Sequence, residues 1–270
     1  MKDALLAEYR KLLSTRMWWL LVLVMAAYLA FIGLVMAFAM TVETPSDPEG
    51  AMASMFSGEE LAQGVYGLIN SIGYVFPLLI GSLAMTTEFR HKTITQSLLV
   101  EPRRNVFLTA KILATVPVGL IYGLVGLVAL VASAAPILSW QGEGAYLGAP
   151  DVWEGWGLSL LVMVLWTIIG VTVGTMLPNQ VAAIVVILGV TQFVEPIMRA
   201  GLSAFEATQD VAQYLPAAAA DAIIGSGFFS AAMGGASDTL SRPGGIAVML
   251  AYALTFALIG RFTTLRRDIG

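Results

Sequence analysis

The chain has 270 residues, of which 58% are hydrophobic and only 12% charged, and it contains no cysteine. That composition excludes a water-soluble globule, which could not cover its surface with so few charges, and removes disulfide, thiolate and cysteine-nucleophile chemistry together. Mean hydropathy is +0.82, and the formal net charge of −4 averages over a strong asymmetry along the chain.

Residues 1–16 place Leu5, Leu6, Tyr9, Leu12 and Leu13 on one helical stripe, with Lys2, Glu8, Arg10 and Lys11 around it. This is the pattern of an amphipathic helix lying on a membrane surface. Six long apolar runs follow, over 17–40, 61–86, 107–135, 155–177, 180–200 and 246–262. A hydrocarbon core about 30 Å thick needs about 17–25 helical residues to cross, and each run meets that length. Barrel strands would alternate polar and apolar residues, whereas these runs are continuous, so the expected spans are helices. The first run contains Ala37-Phe38-Ala39, which resembles a signal-peptidase site. At 24 residues, behind sixteen residues of charged amphipathic sequence, it is too long for a signal-peptide core and reads as a retained span.

The expected fold is therefore an all-α membrane protein, a single transmembrane domain over 1–270 with six transmembrane helices and an N-terminal interfacial helix. Residues 87–106 form a loop between the second and third spans, and 201–245 a long connection between the fifth and sixth. That connection holds an apolar piece from Leu215 to Met233, interrupted by Pro216, Gly225 and Gly227. It is too broken for a span and reads as a re-entrant hairpin or a pair of short helices dipping into the outer leaflet. Gly119/Gly123 and Gly170/Gly174 have the spacing that lets helices approach closely, though glycine is also common in spans.

Basic residues set the expected orientation. With the N-terminus inside, 12 of the 14 lysines and arginines are cytoplasmic, and only Arg199 and Arg242 are not. The acidic residues do the reverse: 13 of 18 lie outside or near it, giving +7 inside and −11 outside. Both termini are then cytoplasmic. Trp18 and Trp19 at the inner boundary, and Trp140, Trp153 and Trp156 at the outer one, suit the aromatic belts of a bilayer.

Little in the sequence can perform catalysis. His91 is the one histidine, which excludes a histidine-based zinc motif or a cysteine–histidine pair, and no G-x-S-x-G elbow is present. The four lysines follow Met1, Arg10, His91 and Ala110, never a glycine, so no phosphate-binding P-loop exists. No cofactor is expected on this chain, nor is a metal site or nucleic-acid binding. Within the spans, polar side chains are costly and each is a functional candidate: Asn70 in the second, Gln192 and Glu195 in the fifth. Glu195 is the one carboxylate inside an expected span. It lies four residues before Arg199, so it either pairs with that arginine or serves a cavity or gate.

The loop after the second span reads Thr86-Thr87-Glu88-Phe89-Arg90-His91-Lys92-Thr93-Ile94-Thr95-Gln96-Ser97-Leu98-Leu99-Val100-Glu101-Pro102-Arg103-Arg104. Ile94, Leu98 and Leu99 give it the spacing of a short amphipathic helix ended by Pro102, although a solvated basic loop has the same charge. Its Glu-Phe-Arg-His-x-Thr-Ile-x-x-x-Leu, followed by Glu101-Pro102-Arg103-Arg104, resembles the cytoplasmic loop of ABC-2 type permeases, the membrane subunits of ABC exporters. Ala7-Glu8-Tyr9-Arg10-Lys11-Leu12, then Ser14-Thr15-Arg16 and Trp18-Trp19, resembles the entry to the first span of that family, and the six-span layout is similar along nearly the whole chain. The alanine-, glycine- and valine-rich, lysine-poor usage is compatible with a high-GC bacterium, and the resemblance is to the actinobacterial type of that family.

The resemblance implies a permease in the cell membrane that pairs with a second copy of itself or a related permease and binds a separate cytoplasmic ABC ATPase. ATP and Mg would sit on that partner. A coupling helix formed by Glu88 to Leu99 would dock on the ATPase, with Glu88, Phe89, Arg90, Thr93, Ile94, Leu98 and Leu99 as contact residues. Scarce intramembrane charge favours apolar or amphipathic cargo such as drugs, lipids or hydrophobic peptides. A non-transporting anchor for an ATPase is the alternative. A secondary transporter fits less well, since no inverted repeat is visible.

Overall fold

The computed structural model describes residues 2–41, 58–142, 144–205, 208–225 and 240–264. Glu43, Asp47, Glu49, Glu143, Glu206, Asp238, Arg266 and Arg267, which contribute to the charge asymmetry, lie outside these residues. So does the part of the Leu215 to Met233 piece beyond Gly225.

Among the described residues all regular structure is helical. α1 (Lys2–Ser14) precedes α2 (Met17–Thr41). α3 (Gly58–Arg90) runs through a π-bulge at Ile69–Gly73, and the short α4 (Ile94–Val100) follows it. α5 (Arg104–Trp140) and α6 (Pro150–Met176) are unbroken. α7 (Gln180–Ser203) carries a second π-bulge at Val190–Val194. Two short helices, α8 (Gln209–Ala212) and α9 (Pro216–Ile224), precede α10 (Arg242–Thr263). Six of these helices, α2, α3, α5, α6, α7 and α10, are long and apolar enough to cross a membrane, the character of a multi-pass membrane protein. α5 has 37 residues, or about 55 Å at 1.5 Å per residue, and so extends well beyond a core about 30 Å thick.

α3, α5 and α6 form the centre. α6 packs along the second half of α3, against α5 and against α10; α2 lies on α5, and α7 on α3. The central three are 72%, 50% and 67% buried along their apolar windows, against 28%, 22% and 22% for α2, α7 and α10. The peripheral helices therefore turn most of their apolar surface outward, with Leu23, Val24, Phe31, Val185, Phe193, Ile197 and Leu254 among the exposed side chains. Glycine explains how close the centre packs. A Cβ on Gly170 would overlap the Leu78 carbonyl, one on Gly174 would crowd Ser82, and one on Gly81 would overlap Thr167. Gly119 and Gly123 likewise face α6 side chains, so both glycine pairs sit at close helix crossings.

The long connection between the last two spans is described over 201–205, 208–225 and from 240 onward, and the described part takes the second of the two expected forms. Its described part is two short helices, and α9 is buried through Ala218, Ala219, Ala220, Ala222 and Ile223. α9 ends at Gly225, whose φ of +86° closes the helix in the left-handed region where an L side chain is strained.

Candidate functional site

At the end of the bundle where α2 and α5 begin and α3 ends, four charged side chains converge. Lys111 of α5 donates to Glu8 Oε2 at 2.6 Å, to Glu88 Oε1 at 2.7 Å and to the Ala84 carbonyl at 3.2 Å. Lys11 of α1 donates to Glu8 Oε1 at 2.6 Å, to Glu88 Oε1 at 3.2 Å and to Ser97 Oγ of α4 at 2.9 Å. The Lys111 side chain is 2% exposed, those of Glu8 and Glu88 6% and 7%, and that of Lys11 44%. Two carboxylates and two ammoniums balance, as a buried cluster must if it is to avoid the desolvation penalty of a lone charge. The Lys111 ammonium also lies 5.2 Å from the Phe107 ring centroid. Burial pulls the Lys11 ammonium toward neutrality, but its hydrogen bonds to Glu8 and Glu88 and their charges outweigh that, and its pKa is raised above the ordinary lysine value.

The local sequence explains each position. Leu5, Glu8 and Leu12 follow one another at helical spacing, so the buried face of α1 includes the carboxylate, while Leu6 and Leu13 turn outward. The apolar stripe expected for α1 is thus corrected: Glu8, placed among the flanking polar residues, is at its centre, because two ammoniums await it there. Lys111, counted among the cytoplasmic cations although it falls within the expected third span, lies two turns inside α5. Glu88 lies in the last turn of α3, beyond the expected second span but within the same helix.

The expected coupling element, Glu88 to Leu99, is divided. Glu88, Phe89 and Arg90 are the last residues of α3. The chain turns at His91 and Lys92, the latter with φ +55°, and α4 starts at Ile94. Ile94 is buried against Met85 and Phe107, and Phe89 and Leu98 pack around that small core. Arg90 donates to Gln180 Oε1 at the start of α7, 2.9 Å away. Thr93 is half-buried, and its carbonyl accepts from Ser97 Oγ. Of the seven residues assigned to docking, Glu88, Phe89, Ile94 and Leu98 therefore serve the chain's own packing. Leu99, 78% exposed, is an apolar side chain that α4 presents outward.

The second group of candidates gathers at the two π-bulges, a distortion frequent at functional sites. Asn70 sits in the first and donates from Nδ2 to Ser159 Oγ of α6 at 2.8 Å, while its Oδ1 is buried without a hydrogen-bond partner. Ser159 lines a cavity of about 380 Å³ with Tyr66, Trp156, Asp151 and Arg242. Gln192 lies in the second bulge, where its Nε2 donates to Thr191 Oγ1 at 3.5 Å. Tyr74, directly after the first bulge, donates to the Thr191 carbonyl at 3.2 Å and so links the two bulged helices.

Glu195 follows the second bulge and is buried, but it does not pair with Arg199. Its Oε1 accepts from the Ala217 backbone N–H in the first turn of α9. A carboxylate there satisfies an otherwise orphan helix-terminal donor and faces the positive end of the helix dipole. Arg199 instead reaches Asp221 of α9 at 2.7 Å. The four-residue spacing within α7 loses to α9, which supplies a partner for each. Burial raises the Asp221 carboxyl above its ordinary range, and the charge and hydrogen bond of Arg199 oppose that shift.

Among the described residues no three of histidine, cysteine, aspartate or glutamate converge as a metal site requires. No protein-family model matches the chain, and no curated protein matches it.

Proposed function

We propose that this chain is the permease subunit of an ATP-driven ABC exporter of the cell membrane, moving an apolar or amphipathic substrate with a separate ATPase. The observation that carries the reading is the buried cluster of Glu8, Lys11, Glu88 and Lys111. It ties α1, the end of α3 and the start of α5 together, and through Ser97 it holds α4, so that a push on Leu99 is transmitted to two central spans. In this reading α1 lies on the inner membrane surface, α4 is the coupling helix, and both termini are cytoplasmic. α8 and α9 lie at the outer leaflet. The bulges around Asn70, Gln192 and Tyr74 give α3 and α7 their adjustable positions beside the substrate path. ATP and Mg reside on the partner, and a second copy or a related permease covers the outward apolar faces that lipid does not.

Coupling is tested by Leu99→Asp compared with Leu98→Asp. Leu99→Asp is expected to leave yield and thermal stability unchanged while abolishing substrate-stimulated ATP hydrolysis by the complex. Leu98→Asp, placing a charge against Ile94 and Phe107, lowers stability itself. Normal stimulation in Leu99→Asp would remove α4 from the docking role. Stimulated hydrolysis without efflux in the unmodified protein would favour a non-transporting anchor. Orientation is tested with cysteines at Gly148 and Gln96, both exposed. An impermeant maleimide should label the first and spare the second in intact cells.

A further inference from the structure

A cavity of about 550 Å³ opens at the α4 end of the bundle, between the start of α5 and the end of α10. Arg103, Arg104 and Arg261 line it together with Val106 and Phe262, and no carboxylate among the described residues does. Arg103 is chelated by Glu101 just outside, through Nε at 2.8 Å and Nη2 at 3.1 Å. Arg104 and Arg261 have no carboxylate partner among the described residues; Arg261 lies over the Phe262 ring, 5.2 Å from its centroid. We propose that this cavity binds the phosphate of an anionic lipid headgroup.

Three independent features select that ligand. The guanidiniums of Arg104 from α5 and Arg261 from α10, without a carboxylate partner among the described residues, offer the planar donor geometry that phosphate oxygens match. α5 begins here without a side-chain cap, so its first-turn N–H groups add donors and the positive end of the helix dipole on the same side. The apolar wall is Val106 and Phe262, the latter 56% exposed, and Leu258 and Ile259, one turn back along α10 and 43% and 41% exposed, extend it beyond the cavity. A free phosphate has no use for that apolar wall, whereas acyl chains continue along it into the membrane. Basic pockets between helices at a membrane boundary recognise lipid headgroups by this combination of charge and depth.

The test uses the full chain purified in neutral detergent. Retention of phosphatidylglycerol and phosphatidylcholine is measured by native mass spectrometry, with glycerol 3-phosphate as the soluble competitor. Phosphatidylglycerol should be retained preferentially, and the preference should fall with added salt. Arg104→Gln/Arg261→Gln should bind it about thirtyfold more weakly. Arg10→Gln/Arg16→Gln, which removes equal charge from the same end, should bind as the unmodified protein does. Equal loss in both double variants would show diffuse surface attraction and overturn the site. Displacement by glycerol 3-phosphate at comparable concentration would overturn the lipid assignment, as would equal retention of the two lipids. Both double variants should elute as the unmodified protein does on size exclusion, since Arg10 and Arg16 are exposed and Arg104 and Arg261, though half-buried, hold no carboxylate among the described residues.

Discussion

Replacing Lys111 by methionine tests whether the buried cluster holds the α1 end of the bundle together. The ammonium satisfies three acceptors, Glu8 at 2.6 Å, Glu88 at 2.7 Å and the Ala84 carbonyl at 3.2 Å. Methionine fills much of the same volume but leaves two nearly buried carboxylates sharing Lys11 alone, whose side chain is 44% exposed. Breaking a buried pair by removing one partner costs about 3–5 kcal/mol. Lys11→Met removes a half-exposed partner and should cost only about 1 kcal/mol, because solvent already screens it. Adding Glu88→Gln to Lys111→Met deletes the orphaned charge and leaves Glu8 paired with Lys11, so more than half of the loss should return. Denaturant unfolding in mixed micelles, followed by tryptophan fluorescence, supplies the comparison. A Lys111→Met cost no larger than that of Lys11→Met would refute the reasoning, as would the absence of recovery in the double variant.

The raised pKa of Lys11 means that the folded state holds its proton more tightly than the unfolded chain. Its contribution is complete below about pH 10.5, the ordinary lysine value, and is lost as pH rises further. The stability gap between the unmodified protein and Lys11→Met should therefore be constant to pH 9 and narrow as pH rises above about 10.5. Arg199→Gln should lower stability by about 1–2 kcal/mol by stranding Asp221, and Asp221→Asn added to it should restore the loss, whereas Glu195→Gln should not. Gly170→Leu collides with the Leu78 carbonyl and should cost about 1–3 kcal/mol or more by separating α3 from α6; Gly155→Ala, with open space around it, should be neutral or better.

Helix number and position were legible because span length and continuous hydrophobicity are strong one-dimensional signals, and each expected run lies largely within a long helix. The two glycine pairs were legible for the same reason, since four-residue spacing puts both members on one helical face. The interior charge cluster was not. Lys111 looks like a boundary cation until Glu8, 103 residues earlier, is placed beside it. The signal that did exist was Glu8 lying between Leu5 and Leu12 on the apolar stripe of α1, where a lone carboxylate is unaffordable. Glu195 misled for the opposite reason: its neighbour in sequence is an obvious partner, but α9 brings a backbone N–H that no spacing rule reveals. The π-bulges around Asn70 and Gln192 leave no periodic trace, because one inserted residue shifts the register without changing the composition.

The central claim, that α4 delivers force from an ATPase to the spans, is tested most directly by a photo-cross-linking amino acid at Leu99 in living cells. The account predicts one dominant adduct whose partner carries a phosphate-binding P-loop, formed on the cytoplasmic side. The same probe at Leu124, 49% exposed on the apolar face of α5, should not form it. An adduct at Leu99 with lipid alone, or capture of the same partner from both positions, would contradict it.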